Sequence, residues 1–335
     1  MKIFLTGATG FIGNALLQRL LDIADDVHLL VRPQSPIQFF HPKIKVFHGS
    51  LADASILTEA MAGCEGVFHL AAKGGVDAHD PKDFDRTNVE GTREVVTAAL
   101  ETGVKKLVYT SSVMTLGPSE RAPANEETLR KTPFFTDYDR TKALAEQAIF
   151  DAVKKGLPAL VVSPTFVYGP TTSLRPDSFN AYLLGVSHRR IVGVPGRGKQ
   201  IVNAVYIDDV VEGHLLAFKK GVVGEHYILG GENKSLREII AMLEKLLRAR
   251  RVIVNVPYRL LKILGGLELL RARLRGRAGR MTPRASEIYR HDWAYLSEKA
   301  VTQIGYRHRS LRQGLEATLQ WLERNQGLLP RAQNR

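Results

Sequence analysis

A chain of 335 residues, 44% hydrophobic and 24% charged, has the material for a sizeable buried core, which excludes disorder as its ordinary state. A single cysteine, Cys64, excludes an internal disulfide framework, and no Cys/His cluster has metal-ligand spacing, so no metal and a reducing cytoplasm are expected. The net charge of +13 asks for an anionic partner, but no helix-turn-helix, zinc-finger or RNA-binding signature is present, and the basic run 271–280 has no aromatic interleaving, so nucleic acid is not expected.

The first predicted element is an apolar strand over 3–5 that runs straight into Gly7, Gly10 and Gly13. Ile12, Leu16 and Leu20 then recur at helical spacing, so the glycines occupy a strand-to-helix turn. That turn fits a dinucleotide pyrophosphate. Gly7 takes the tight bend, Gly10 lets the backbone approach a phosphate, Gly13 lets the helix lie close to the strand, and the helix N–H groups face the anion. No leader of the secretory type precedes the strand, so secretion is not expected. No apolar run reaches the roughly 18 residues of a spanning helix.

Further short apolar strands are predicted at 27–31, 45–47, 66–70, 106–109 and 160–163, separated by helical segments or loops. Such alternation predicts an α/β fold, a Rossmann doubly wound parallel sheet with its ligand at the carboxyl ends of the strands. After Pro164 the texture changes to Pro, Gly and Ser, with helices near 180–184 and 236–251. We therefore expect a nucleotide-binding domain over 1–165, partly continued by about 203–225 through the strand 204–206 and the helix after Asp208. A smaller mixed α/β substrate-capping domain is expected over 166–335.

Two features carry chemistry. Tyr138 and Lys142 are four residues apart, one turn of a helix, so the ammonium can lie beneath the phenol and bring its pKa down from about 10 toward working pH. That suits a general acid or base. Upstream, the strand at 106–109 ends in Thr110, Ser111 and Ser112, which places hydroxyls at the carboxyl edge of a central strand, where one can donate to a carbonyl oxygen.

With these residues the chain resembles the extended short-chain dehydrogenases/reductases, the superfamily of NAD-dependent epimerases and dehydratases. Its nearest branch by motif is that of dihydroflavonol reductases, 3β-hydroxysteroid dehydrogenases and hopanoid-associated sugar epimerases. The resemblance runs over essentially the whole chain, through TGATGFIG, VFHLAA at 67–72, NVEGT at 88–92, YTSSVMTLG at 109–117, YDRTK at 138–142, SPTFVYGP at 163–170 and YIDDVVEGH at 206–214. It implies Ser112 as catalytic serine, with Ser111 as fallback, Tyr138 as acid/base, and Lys142 as the residue that holds the nicotinamide ribose and tunes Tyr138. It implies cofactor contacts from Gly7, Thr9, Gly10, Phe11, Ile12 and Gly13, from Leu70, Ala71, Ala72 and Lys73, and from Pro164, Thr165 and Val167. NAD-specific relatives end the second strand on an acid, whereas Arg32 stands here and suits a 2′-phosphate, so NADP(H) is expected over NAD(H). Ser50 and Leu51 replace the Asp-Leu or Asp-Ile that often holds adenine, which implies a poorer contact.

The resemblance also sorts the reaction. Dehydratases carry Asp-Glu after the catalytic hydroxyl, and Val113-Met114 stands here, so dehydration is rejected. Sugar-nucleotide epimerases read G-x-G-x-Q-x-R; Gly196, Gly198 and Gln200 match, but Val202 replaces the arginine, which argues for an uncharged, apolar substrate. The expected activity is hydride transfer between NADP(H) and a ketone or secondary alcohol of a hydrophobic, steroid-, isoprenoid- or flavonoid-like substrate. A sugar epimerase with tightly bound NAD(P) is the alternative, and a non-catalytic nucleotide-sensing protein the alternative of another class.

The carboxyl region, 256–275, places Leu260, Leu261, Ile263, Leu264, Leu267, Leu270 and Leu274 among Arg and Lys, with Gly265-Gly266 interrupting them. It reads as a helix pair that caps the substrate site, or as a basic apolar edge resting on anionic lipid at the inner face of a membrane. His69, His214 and His291 read as packed core histidines. The helices near 88–101 and 138–155 imply, by resemblance, a homodimer.

Overall fold

The computed structural model describes residues 1–325 apart from 36–38, 79, 121, 172–174 and 176–177. Its centre is a seven-stranded parallel sheet. Six strands come from the first half: β1 (Lys2–Thr6), β2 (Asp26–Val31), β3 (Ile44–His48), β4 (Gly66–His69), β5 (Lys106–Thr110) and β6 (Ala159–Pro164). Between them lie α1 (Phe11–Ile23), α2 (Ala54–Met61), the short α3 (Lys82–Phe84) with a π-helical turn at Asp85–Glu90, α4 (Gly91–Glu101) and α5 (Asp137–Lys154). Beyond them follow β7 (Phe166–Tyr168), α6 (Phe179–His188), β8 (Ile191–Pro195), β9 (Ile201–Tyr206), α7 (Ile207–Lys220), β10 (His226–Leu229), β11 (Glu232–Ser235), α8 (Leu236–Leu247), β12 (Val252–Val256), α9 (Tyr258–Leu274), α10 (Glu298–Ile304) and α11 (Leu311–Arg324).

The sheet order β10-β6-β5-β4-β1-β2-β3 reverses direction between β1 and β4, so a crevice opens at their carboxyl ends. Both faces are covered, which is why the strands read as near-continuous apolar runs. One face buries Leu16, Leu17 and Leu20 of α1 with Val210 and Ala217 of α7. The other buries Leu57 and Met61 of α2, Val95 and Ala99 of α4, and Ala145 and Ile149 of α5.

Two expectations differ from what the chain does. The segment 204–206 does not extend the large sheet: as part of β9 it pairs with β7 and, antiparallel, with β11 in a separate three-stranded sheet. The seventh parallel strand is β10, which adds to β6 from Val161 to Pro164, while α7 does pack on the nucleotide-binding half. Nor is 258–274 a helix pair. It is the single helix α9, because buried Gly265 lets the backbone of Thr282 and Pro283 press against it; a Cβ there would meet Thr282 at 2.9 Å.

Candidate active site

The crevice begins at the glycine turn. Gly7 has φ +78°, and a Cβ on it would stand 2.7 Å from the Ala71 nitrogen, so the turn lies against the exit of β4. A Cβ on Gly13 would stand 2.1 Å from the Gly7 carbonyl oxygen; its absence lets α1 close on the strand. No side chain caps α1 at Gly10, and its first turn, Phe11 and Ile12, starts at the crevice with Thr9 just ahead of it. Backbone N–H groups at a helix start, in a cradle that side chains would fill, suit a pyrophosphate. The chain therefore fits a dinucleotide on its own geometry.

The rest of the cradle is held by buried polar side chains. Thr6 Oγ1 accepts from the Ala71 N–H at 3.1 Å, and Asn88 clamps Lys73, accepting its N–H at 2.7 Å and donating to its carbonyl at 3.0 Å. Thr92 donates to the Asn88 carbonyl, so His69 Nε2 must donate to Thr92 while Nδ1 accepts from Thr6. Burial pushes His69 down to about 3 and it stays neutral. His214 is equally structural: Nδ1 donates to the Val210 carbonyl, Nε2 accepts from Thr110, and burial brings it to about 4. His291 differs from the core residue expected: it is half-buried, tilts on Phe135 with ring centroids 5.2 Å apart, and lines a cavity.

At the adenine end, Arg32 stands exposed directly after β2. The Ser50 hydroxyl accepts from the Ala52 N–H at 3.2 Å, while its own N–H donates to the Asp53 carboxylate at 2.5 Å. Asp53 thus puts a carboxylate into the loop where Ser50-Leu51 alone suggested none.

The three candidate catalytic groups come together at the carboxyl end of β5. Ser112 caps the 3₁₀ turn Val113–Thr115, and its hydroxyl faces that of Tyr138 on the first turn of α5. Lys142, one turn further and 2% exposed, donates to the Thr110 carbonyl at 2.6 Å and lies 4.2 Å over the Tyr109 ring. Burial lowers Lys142 to about 7, opposed by Glu146. Tyr138 does not come down as the spacing suggested: burial raises it, with Arg175 and the Ser112 hydroxyl working against that rise. A sequence shows the cation at one turn; it does not show the desolvation that outweighs it. In this state Tyr138 holds its proton.

Several groups position the trio without having been singled out in the sequence. Glu146, a turn beyond Lys142, accepts from Thr115 at 3.0 Å, and burial pushes its carboxyl up to about 7. Asp139 is fully buried, completes a capping box with Thr136, and pairs with Arg130 at 2.9 Å. Arg130 also donates to the Met114 carbonyl, which ties the serine turn to α5. The segment 291–295 acts here too: Asp292 accepts from the Ile201 N–H at 2.7 Å, and the Tyr295 hydroxyl bonds the Val113 and Gly117 carbonyls. It braces the serine turn from the capping side.

Beside Tyr138 opens a cavity of about 470 Å³. Met114, Phe166, Val202, Leu261 and Trp293 give it apolar walls, with Gln200, Arg175, Arg280 and His291 among its polar groups, and among the described residues that line it none is a carboxylate. Gln200 spends its amide on the Pro195 and Tyr289 carbonyls. Pro164, at the end of β6, and Thr165, which donates to Asn203 at 2.8 Å, stand at the same edge as Val167 of β7.

Crevice, cradle and hydroxyl-lysine trio define a dinucleotide-binding protein of the Rossmann class. The chain belongs to the NAD dependent epimerase/dehydratase family, whose sequence model matches residues 3–230. It is 30% identical to a putative dihydroflavonol 4-reductase of Synechocystis sp. over 96% of this chain and 94% of that one. It is also 30% identical to the 4-hydroxy-2-methyl-3-oxo-4-farnesyl-3,4-dihydroquinoline-1-oxide ketoreductase of Stigmatella aurantiaca, over 98% of this chain and 99% of that one. Among solved structures, the UDP-glucose 4-epimerase of Thermotoga maritima with UDP-glucose shares the fold at a TM-score of 0.79 with 21% identity, covering 97% of this chain and 99% of that one.

Proposed function

We propose that the protein is an NADP(H)-dependent oxidoreductase that interconverts a ketone and a secondary alcohol on an apolar substrate. The observation that carries this reading is the cavity itself: it opens at the Tyr138 phenol between largely apolar walls, and Val202 stands in them at the position where the resemblance to sugar-nucleotide epimerases calls for an arginine. Both reductase-named relatives fit such a substrate by name.

A bound nicotinamide supplies or takes the hydride. Ser112 and Tyr138 hold the carbonyl oxygen, and Tyr138, protonated in the resting site, gives its proton as negative charge builds there. Lys142 then stabilises the phenolate. One of its three N–H groups is committed to Thr110, which leaves two for the ribose and the developing charge. The apolar walls keep water from the reacting carbon. In the test, apolar ketones are offered with NADPH and UDP-sugars with NAD(P)+: alcohol formation with matched NADPH loss supports the reading, and sugar inversion without net cofactor change replaces it with the epimerase.

Cofactor choice rests on Arg32. A guanidinium at the end of β2 can form charge-assisted bonds to a 2′-phosphate, worth about 1.5–3 kcal/mol. NADPH should bind at least about tenfold more tightly than NADH, and Arg32→Asp should invert that order in a fluorescence titration. An unchanged preference would remove Arg32 from the site.

Glu146 gives a second check. Its carboxylate opposes burial at Lys142, so the charged lysine that supports Tyr138 should be lost as pH rises through about 7. Reduction should fall over that interval. Glu146→Gln, which removes the negative neighbour, should shift the fall to lower pH, and a superimposable profile would uncouple the two.

A further inference from the structure

Helix α9 has two faces of opposite use. Its inner face carries Gly265 and Ala272, both buried, and Leu261, which borders the cavity beside Tyr138. Its outer face carries Leu260, Ile263, Leu264, Leu267, Leu270 and Leu274 at helical spacing, and these are 42–79% exposed. Cations flank that stripe on both sides: Arg259, Lys262 and Arg273 on one, Arg271 and Arg275 on the other. The helix has one acid, Glu268, bonded to Arg277, while Asp77 takes Arg273 and Glu287 pairs with Lys262; among the described residues Arg271 and Arg275 meet no carboxylate.

Six contiguous exposed aliphatic side chains need a cover. An apolar stripe between two basic margins is the pattern of a helix that lies in a membrane interface. No helix among the described residues is long and apolar enough to cross a membrane, so contact from one side is the geometry available. A second copy of the chain is the poorer cover: a two-fold pairing of this face with itself would set basic margin against basic margin. Anionic headgroups neutralise both margins at once.

We propose that α9 docks on an anionic phospholipid surface, its leucine stripe in the acyl boundary and its arginines among the headgroup phosphates. The segment after α9 reinforces the placement, since Arg280 and Met281 line the same cavity as Leu261. A helix that rests on lipid by one face and walls the cavity by the other gives a bilayer-dissolved substrate a short route inward. This last step rests on the reductase reading; the docking itself does not.

The test uses the whole protein with vesicles of phosphatidylcholine alone or mixed equally with phosphatidylglycerol. Sedimentation with the mixed vesicles only is expected, with release as salt shortens the Debye length to about 8 Å and below. Reversing Arg271 and Arg275 to Glu should lower the partition constant at least about twentyfold, at roughly fivefold for each basic residue lost. Leu267→Asp with Leu270→Asp should abolish binding with unchanged circular dichroism, because both side chains are exposed. Equal binding to neutral vesicles, or variants that bind like the parent, would overturn the docking. So would a lipid-free dimer that Leu267→Asp splits into monomers, which would assign the face to a second copy. Vesicle binding without reduction of any ketone would leave the docking standing and remove the enzymatic reading.

Discussion

Tyr138→Phe should slow ketone reduction about 10²–10⁴-fold while NADPH affinity stays close to that of the parent protein. The phenyl ring keeps the packing of the first turn of α5, and the change removes only the hydroxyl that Ser112 faces. Burial keeps this phenol protonated, so reduction finds the proton in place, and the variant has nothing to give when the carbonyl oxygen takes up charge. Lys142 would be untouched, since its bond runs to the Thr110 carbonyl. Steady-state rates together with a binding titration separate the outcomes. A variant with near-parental turnover would make Tyr138 a packing residue of the cavity wall.

Arg130→Met should cost about 3–5 kcal/mol of folding stability, read from urea unfolding. Asp139 is 0% exposed, and the substitution removes its one cationic partner among the described residues, leaving the carboxylate to Thr136 and the Phe135 N–H. A charge buried without its counter-ion is far more costly than an exposed pair lost. Replacing Lys105, paired with Glu65 at the surface, should leave the unfolding midpoint where it is. Activity should fall further than stability explains, because Arg130 also holds the Met114 carbonyl beside Ser112. Unfolding curves that superimpose on those of the parent would mean that Asp139 finds its compensation elsewhere.

The nucleotide-binding half is legible in the sequence because its signals are local. A buried parallel strand reads as an apolar run, and Gly7 and Gly13 mark where backbone meets backbone. The same holds for Tyr138 and Lys142, one helical turn apart. What escapes is long-range. Strand β10 has only four residues and owes its place to pairing with β6, some sixty positions earlier, whereas 204–206 looks equally strand-like and pairs in the small sheet. Gly265-Gly266 reads as a break, yet a glycine inside a helix is also where another segment can come close, as Pro283 does. Glu146 was open to reading from its spacing to Lys142. The link from Arg130 to Asp139 and Met114 crosses an irregular loop, and the brace from Tyr295 spans 178 positions, so neither leaves a periodic trace. The direction of the Tyr138 shift was hidden for a different reason: it is decided by burial, a property of the packed site.

The origin of the hydrogen that arrives at the substrate carbon is decisive. With NADPH carrying deuterium at both C4 positions of the nicotinamide, the alcohol formed from an apolar ketone should gain one deuterium at the carbinol carbon by mass spectrometry. One NADPH should be consumed per alcohol, and Tyr138→Phe should suppress both. An alcohol without the label, or a sugar nucleotide inverted with the label retained on the cofactor, would contradict hydride transfer to a ketone in this site.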